Sequence, residues 1–285
     1  MDFDNLTILR AKEMFACGES NAIELCNEIL DRIERLDRSG PTLRAVLEVN
    51  PDALAQAEAA VHRKKNGEPP RPLDGIPILV KDSIDTADKM ATTAGSLAML
   101  GNIAERDAFV VEWLRSAGAV ILGKANMTEW SYMRSARTCS GWSSRGGQIR
   151  NPHVLDRTPS GSSGGSAVAV AAGLCLGALG AEVDGSIVRP SSANGVVGIK
   201  PTVGMVSRMG VMPVAEPQDT AGPIARSVSD VALLLSVLAG PDPQDKATIV
   251  NERPNSSDFT AFLNVDALKG ARIGVARDLM GTHEG

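Results

Sequence analysis

Two short stretches carry apolar side chains at nearly every position rather than at alternate ones: IPILVKD (76–82) and AVILGKAN (119–126). Continuous apolar runs of this length belong to strands covered on both faces. Between them, DAFVVEWLRSAG (107–118) spaces its apolar residues at helical intervals and closes on Gly118. This strand–helix–strand rhythm predicts an α/β core. Only 3% of the residues are aromatic, so that core has to be built from Ala, Val, Leu, Ile and Met packed around glycine.

The same periodicities organise the rest of the chain. Amphipathic helices are expected over 5–18 and 20–37. In the second, Ile23, Cys26, Ile29, Leu30, Ile33 and Leu36 share a face, behind a cap from Ser20 and Asn21. An Ala-rich helix follows over 52–65, then a proline-rich linker, GEPPRPLDG (67–75). Residues 131–166 are rich in Ser, Gly and Arg with little periodicity, which is long for a plain connector and suggests function. Beyond it come a helix near 165–174, a strand at 176–182, GVVGIKPTVGMVS (195–207), a capped helix at 227–240, a polar loop at 241–256 and a buried strand, ARIGVAR, at 271–277. The 285 residues are read as one domain, 1–285, with an N-terminal helical segment (1–68) leading into an α/β core (69–285). A strand of the kind expected at 271–277 normally leads into a covering helix, so the chain reads as shortened at its C-terminus.

Several function classes are disfavoured. The net charge is −5 and there is no basic stripe, which argues against nucleic-acid binding; HRKKNG (62–67) reads as a solvated helix end. The four cysteines, Cys17, Cys26, Cys139 and Cys175, form no C-x-x-C pair, so no metal site and no redox pair are expected. The N-terminus has no leader-like pattern and no apolar run is long enough to span a bilayer, so a cytoplasmic setting is expected.

The chemistry concentrates in GSSGGSAVAVAAGLCLGALGAEVDGS (161–186), a Gly/Ser loop running into small apolar residues and ending in a second Gly-Ser. A serine nucleophile needs a base. None of the three histidines, His62, His153 and His283, lies in this stretch. His153 sits in a polar loop, where it is either a base or simply solvated. Lys81, at the end of a buried run, is the other candidate. Burial lowers an ammonium pKa and makes a neutral amine accessible, although pairing with Asp82 or Asp85 is an equally local explanation. The loop itself matches neither G-x-S-x-G nor a P-loop.

SGSSGGSAVAVAAG followed by LGAEVDGSIVRPSSANGVVGIKPTVGMVSR closely resembles the central signature of the amidase signature family. LDGIPILVKDSID, GAVILGKANMTEWS and QDTAGPIARSVSD resemble its flanking segments, so the likeness covers roughly residues 20–280. The resemblance implies an α/β amidase-signature fold, a mixed β-sheet core flanked by α-helices, here without its C-terminal part. It also implies a catalytic triad of nucleophile Ser186, bridging Ser162 after a cis peptide from Gly161, and base Lys81. Backbone N–H groups of Val183, Asp184, Gly185 and Ser186 would form the oxyanion hole, and Ser163 would support Lys81 or the loop. No cofactor is implied. The partner would be a small-molecule or peptide amide, with no nucleic acid and no membrane span, and a homo-oligomer is possible.

The wording around the nucleophile is similar to a branch with bacterial peptide amidases and fungal amidases. Ala181 and Val183 replace threonines there, Arg189 stands where a small residue is usual, and Ser160 stands where many members have Gly or Cys. The reaction expected is hydrolysis of a carboxylic amide through an acyl-enzyme. The alternatives are a shortened, non-catalytic protein that acts by binding and, less favoured, the amidase component of an aminoacyl-tRNA amidotransferase.

Overall fold

The structure is a computed structural model in which residues 1–3, 5–249 and 258–277 are described. In chain order the main elements are α1 (Ile8–Cys17), α2 (Ala22–Arg32), β1 (Val46–Val49), α3 (Ala53–Lys65), β2 (Pro77–Lys81), α4 (Phe109–Ser116) and β3 (Val120–Ala125). A two-residue ribbon pair follows, β4 (Trp142–Ser143) and β5 (Gly147–Gln148). Then come α5 (Gly164–Ala171), β6 (Gly177–Glu182), α6 (Val188–Ala193), β7 (Val197–Gly198), β8 (Thr220–Ala225), α7 (Val228–Leu238) and α8 (Lys246–Ile249).

Six strands form one mixed sheet in the order β1-β3-β2-β6-β8-β7. The three central strands β3, β2 and β6 are parallel, while β1, β8 and β7 pair antiparallel with their neighbours. Every residue of β2 and β3 is buried, as their continuous apolar runs require. Helix α5 packs directly against β6 and β2. Its second residue, Gly165, is buried where a Cβ would strike the backbone of Asn126 and the carbonyl of Ala45. That close approach carries the Gly/Ser loop over the ends of the parallel strands.

The N-terminal helices cover the sheet from outside. Asn21 caps α2 by accepting from the amides of Ile23 and Glu24 (3.0 and 3.1 Å), and Leu25, Cys26 and Ile29 are fully buried beneath it. Burial of a leucine or isoleucine of this kind contributes about 1.5–3 kcal/mol. Beyond Arg32 the helix widens into a π-helical turn, Ile33–Arg38, within the expected 20–37 helix. Ser227 caps α7 by accepting from the amide of Asp230 at 3.1 Å.

Strands β1 and β8 and the short ribbon pair β4 and β5 were not expected from the sequence. One expected strand is corrected: residues 271–277 are exposed and pair with no strand among the described residues, with Ile273 68% and Val275 54% accessible. An apolar run becomes a strand only where a neighbouring edge takes up its backbone hydrogen bonds, and this segment lies outside the six-stranded sheet. The expected 241–256 loop contains α8; its residues 250–256 lie outside the described residues. Among the described residues no helix is long and apolar enough to cross a membrane.

Candidate active site

Parallel pairing of β3, β2 and β6 brings their C-terminal ends to one edge of the sheet, the usual place for a ligand crevice in an α/β protein. Lys81 is the last residue of β2 and is fully buried. Its Nζ donates to Ser162 Oγ at 2.7 Å and to the Ala181 carbonyl, on neighbouring β6, at 3.0 Å. Burial brings the Lys81 amine down to about 7, against the opposing pull of the negative charges of Glu182 and Asp219. At neutral pH a large share of this amine is therefore unprotonated, and at 2.7 Å it can accept a proton from the hydroxyl as well as donate to it.

Ser162 follows a cis peptide bond from Gly161. Its carbonyl accepts from the Thr128 amide at 3.0 Å, which ties the loop to the segment after β3. The neighbouring Ser163 contacts Ala181 rather than Lys81: its Oγ donates to the Ala181 carbonyl and accepts from the Ala181 amide, both at 3.3 Å. The Ser163 amide donates to the Ser186 carbonyl at 3.1 Å, so the backbones carrying Ser162 and Ser186 touch.

Ser186 follows Gly185, whose φ of +82° is open to glycine and strained for other residues. A side chain at 185 would also meet that of Arg189. The turn is fastened from below by Glu182, only 4% accessible. Its Oε1 accepts from the Gly185 amide at 2.8 Å, and its Oε2 from the amides of Ile187 and Val188 at 2.6 and 3.0 Å. The expectation that all four amides of 183–186 face a developing oxyanion is thus revised for Gly185, whose N–H is engaged by this buried carboxylate. The amides of Val183, Asp184 and Ser186 have no partner among the described residues. On the rim, Arg189 Nη2 donates to the Asp184 carbonyl at 2.7 Å.

Ser186 opens onto a cavity of about 480 Å³, whose walls include Ser131, Tyr132, Val183, Arg189 and Asp219. Lys81 and Ser162 lie buried behind it. Of the three positions named from the sequence, 81 and 162 share a direct side-chain hydrogen bond, while Ser186 is tied to the loop through the backbone contact from Ser163 and has no side-chain hydrogen bond to Ser162 among the described residues. His153 is not among them: its Nε2 pairs with the Asn194 carbonyl at 2.9 Å and it does not line the cavity. Buried Cys26 and Cys175 have thiols pushed up to about 11 and about 12 by desolvation, which makes them poor nucleophiles. Among the described residues no group of three His, Cys, Asp or Glu side chains could hold a metal ion.

Sequence reasoning passed over Ser131, which accepts from Ser162 Oγ at 3.3 Å, Glu182 as the anchor of the turn, and Asp219 on the cavity wall. Asp219 directly precedes β8, so finding that strand would have placed it.

Comparison with known proteins agrees with this architecture. The native peptide amidase of Stenotrophomonas maltophilia superposes with a TM-score of 0.89 and 49% identity, covering 91% of this chain and 53% of that one. An Arabidopsis thaliana relative named a probable amidase is 50% identical over 246 residues, which is 85% of this chain and 48% of that protein. A glutamyl-tRNA(Gln) amidotransferase component from Symbiobacterium thermophilum is 43% identical over 278 residues, 97% of this chain and 54% of that protein. The chain thus spans about half the length of the relatives it matches. The family model described as Amidase matches residues 24–284, and with the fold and these relatives it places the chain in the Amidase family.

Proposed function

We propose that this chain carries the acyl-transfer centre of a hydrolase that splits carboxylic amides into an acid and ammonia or an amine. The observation that carries the reading is the buried contact between Lys81 Nζ and Ser162 Oγ, with the amine near 7. In the forward step Ser186 Oγ attacks the amide carbon and passes its proton to Ser162 Oγ, while Ser162 gives its own proton to neutral Lys81. The lysine ammonium then returns a proton through Ser162 to the leaving nitrogen, and an acyl ester remains on Ser186. Water repeats the sequence, releasing the acid and restoring the Ser186 hydroxyl. The amides of Val183, Asp184 and Ser186, without a partner among the described residues, would donate to the tetrahedral oxyanion in this reading, where loss of one donor typically costs about 10²–10³ in rate.

A cavity of this volume accommodates a substrate larger than a simple aliphatic amide, and the likeness to a peptide amidase favours a small peptide or acylamino-acid amide. The test is amide hydrolysis by the purified protein beside Ser186→Ala and Lys81→Ala, together with labelling by a fluorophosphonate. Turnover and labelling that both vanish in Ser186→Ala support the reading. A wild-type protein that neither turns over amides nor takes the label would leave a protein that acts by binding alone. The 43% identity to an amidotransferase component supports a second reading, transfer of the released ammonia to an acceptor; free ammonia released stoichiometrically with acid counts against it.

A further inference from the structure

Ser131 stands in an unusual place for a serine. Three successive non-glycine residues, Trp130, Ser131 and Tyr132, have left-handed backbones, with φ of 52°, 50° and 71°. Residues with a Cβ avoid this region unless the surroundings impose it, and such strain gathers at functional sites. Here the surroundings do impose it. The Trp130 amide donates to the Ala94 carbonyl at 3.0 Å, the Ser131 amide to the Thr128 carbonyl at 2.9 Å, and Tyr132 Oη pairs with Ser140 Oγ at 2.7 Å. The consequence of the turn is one contact: Ser131 Oγ sits 3.3 Å from Ser162 Oγ, which also takes the 2.7 Å contact from Lys81.

We propose that Ser131 is a positioning residue for Ser162: its hydroxyl is the second hydrogen-bonding partner, beside Lys81, that sets which way the Ser162 proton points. The inference rests on the relay assigned above. A hydroxyl oxygen has one proton and two lone pairs. In the resting arrangement Ser162 accepts from Lys81 and donates to Ser131, so its proton faces away from the base. When the relay runs, the Ser162 proton turns to neutral Lys81 and the Ser131 hydroxyl rotates to donate to Ser162 Oγ. That donation favours the oxygen while it gains electron density, before it takes up the proton from Ser186. No bond to Ser131 forms or breaks, and its own proton stays on it.

The experiment compares Ser131→Ala and Ser131→Gly with the wild type on three amides differing in their acyl groups. Glycine suits the left-handed backbone, so Ser131→Gly keeps the fold even if Ser131→Ala does not; thermal unfolding checks both. The expected result is a loss of about 10-fold in kcat in both variants, the value of one hydrogen bond. KM stays within about twofold and the factor is the same for all three substrates, because the residue acts on the relay. In a Ser162→Ala background, read by the slow rate of fluorophosphonate labelling, removing the Ser131 hydroxyl has no further effect. Unchanged kcat in folded variants, a loss that depends on the acyl group, or a full loss persisting without Ser162 overturns the proposal. If Ser162→Ala alone keeps wild-type turnover, the relay itself falls and this inference falls with it.

Discussion

Two buried lysines sit on adjacent parallel strands of the same sheet, and their surroundings differ. Lys124, on β3, is paired in register with Val80, next to Lys81 on β2, so the two side chains leave opposite faces. Both are fully buried, and burial lowers both amines, Lys81 to about 7 and Lys124 to about 8. Lys124 lives among carboxylates: the charges of Asp82, Asp88 and Asp85 raise it back. Its Nζ is committed to the Ile84 carbonyl at 2.6 Å and Thr92 Oγ1 at 2.9 Å. Asp82 in turn accepts from the Gly95 amide at 2.8 Å and from Arg145 at 3.2 Å. Lys81 bonds one hydroxyl and one carbonyl; of the two carboxylates whose charge acts on it, Glu182 and Asp219, Glu182 already accepts from three amides. A buried lysine is the more usable base where fewer carboxylates offset its desolvation and a hydroxyl lies within reach; Lys124, faced by more counter-charge, is the more structural of the two.

The contrast breaks most visibly under paired substitution by methionine, a near-isostere without charge. Lys81→Met is expected to lower kcat/KM by at least about 10³-fold, the scale seen when a catalytic base is removed. The protein should stay as stable or become more so, because an amine whose burial Glu182 and Asp219 offset only in part costs more to bury than a thioether. Lys124→Met should do the reverse. It strands buried carboxylates, and denaturant unfolding is expected to show a loss of about 3 kcal/mol. If Lys124→Met destroys turnover in a fully stable protein, or Lys81→Met unfolds it, the division of labour is wrong.

The sequence told these two lysines apart only in part. Only Lys81 was singled out, from its place at the end of an apolar run, and periodicity left it open to pairing with Asp82 or Asp85; sequence reasoning passed over Lys124, inside AVILGKAN. What separates them is the company brought by distant segments: Ser162 from the loop before α5, Thr92 and Arg145 from connectors. Strands β2, β3 and β6 were legible because burial on both faces is written directly into their side chains. Strand β8, TAGPIA, was not, since Gly222 and Pro223 argue locally against a strand; it forms because Pro223 needs no donor there and its carbonyl accepts from the Ile199 amide at 3.1 Å. Residues 271–277 show the opposite error, for an apolar run states that burial would be favourable and says nothing of whether a partner edge exists. The grouping of 81, 162 and 186 as a triad came from family resemblance alone. Ser131 had no local signal, because nothing in Trp-Ser-Tyr announces a left-handed turn.

Acidity sharpens the comparison next. A base near 7 predicts that kcat/KM rises with pH through about 7 and levels above it, since only the unprotonated amine accepts the Ser162 proton. The stability consequence has a definite sign. The folded-state value lies below the ordinary lysine value of 10.5, so between the two the unfolded chain binds the extra proton. Unfolding free energy attributable to Lys81 therefore rises as pH increases from about 7 toward 10.5. Between pH 7 and 9 the stability difference between wild type and Lys81→Met should shift by about 2 kcal/mol in favour of the wild type. A difference that stays flat over this interval would mean that the amine remains charged in the folded protein.

The smallest expected effect lies at the rim, where Arg189 closes over the turn that carries Ser186. Arg189 is exposed, donates to the Asp184 carbonyl, and lies against Gly185. Its hydrogen bond holds the rim of the turn, while the base of the turn is held by Glu182 from within. Arg189→Ser should therefore leave the fold and the rate of Ser186 labelling by a small fluorophosphonate within about threefold of wild type, as one exposed hydrogen bond is worth little. It should widen the cavity mouth and improve kcat/KM for bulky acyl groups relative to small ones. The contrasting variant is Gly185→Ala, which puts a Cβ at a φ of +82° against the Arg189 side chain. On its own it should slow labelling severalfold. In the Arg189→Ser background the steric share of that loss should disappear and the backbone share should remain, so the ratio of the two rates separates clash from strain within one turn.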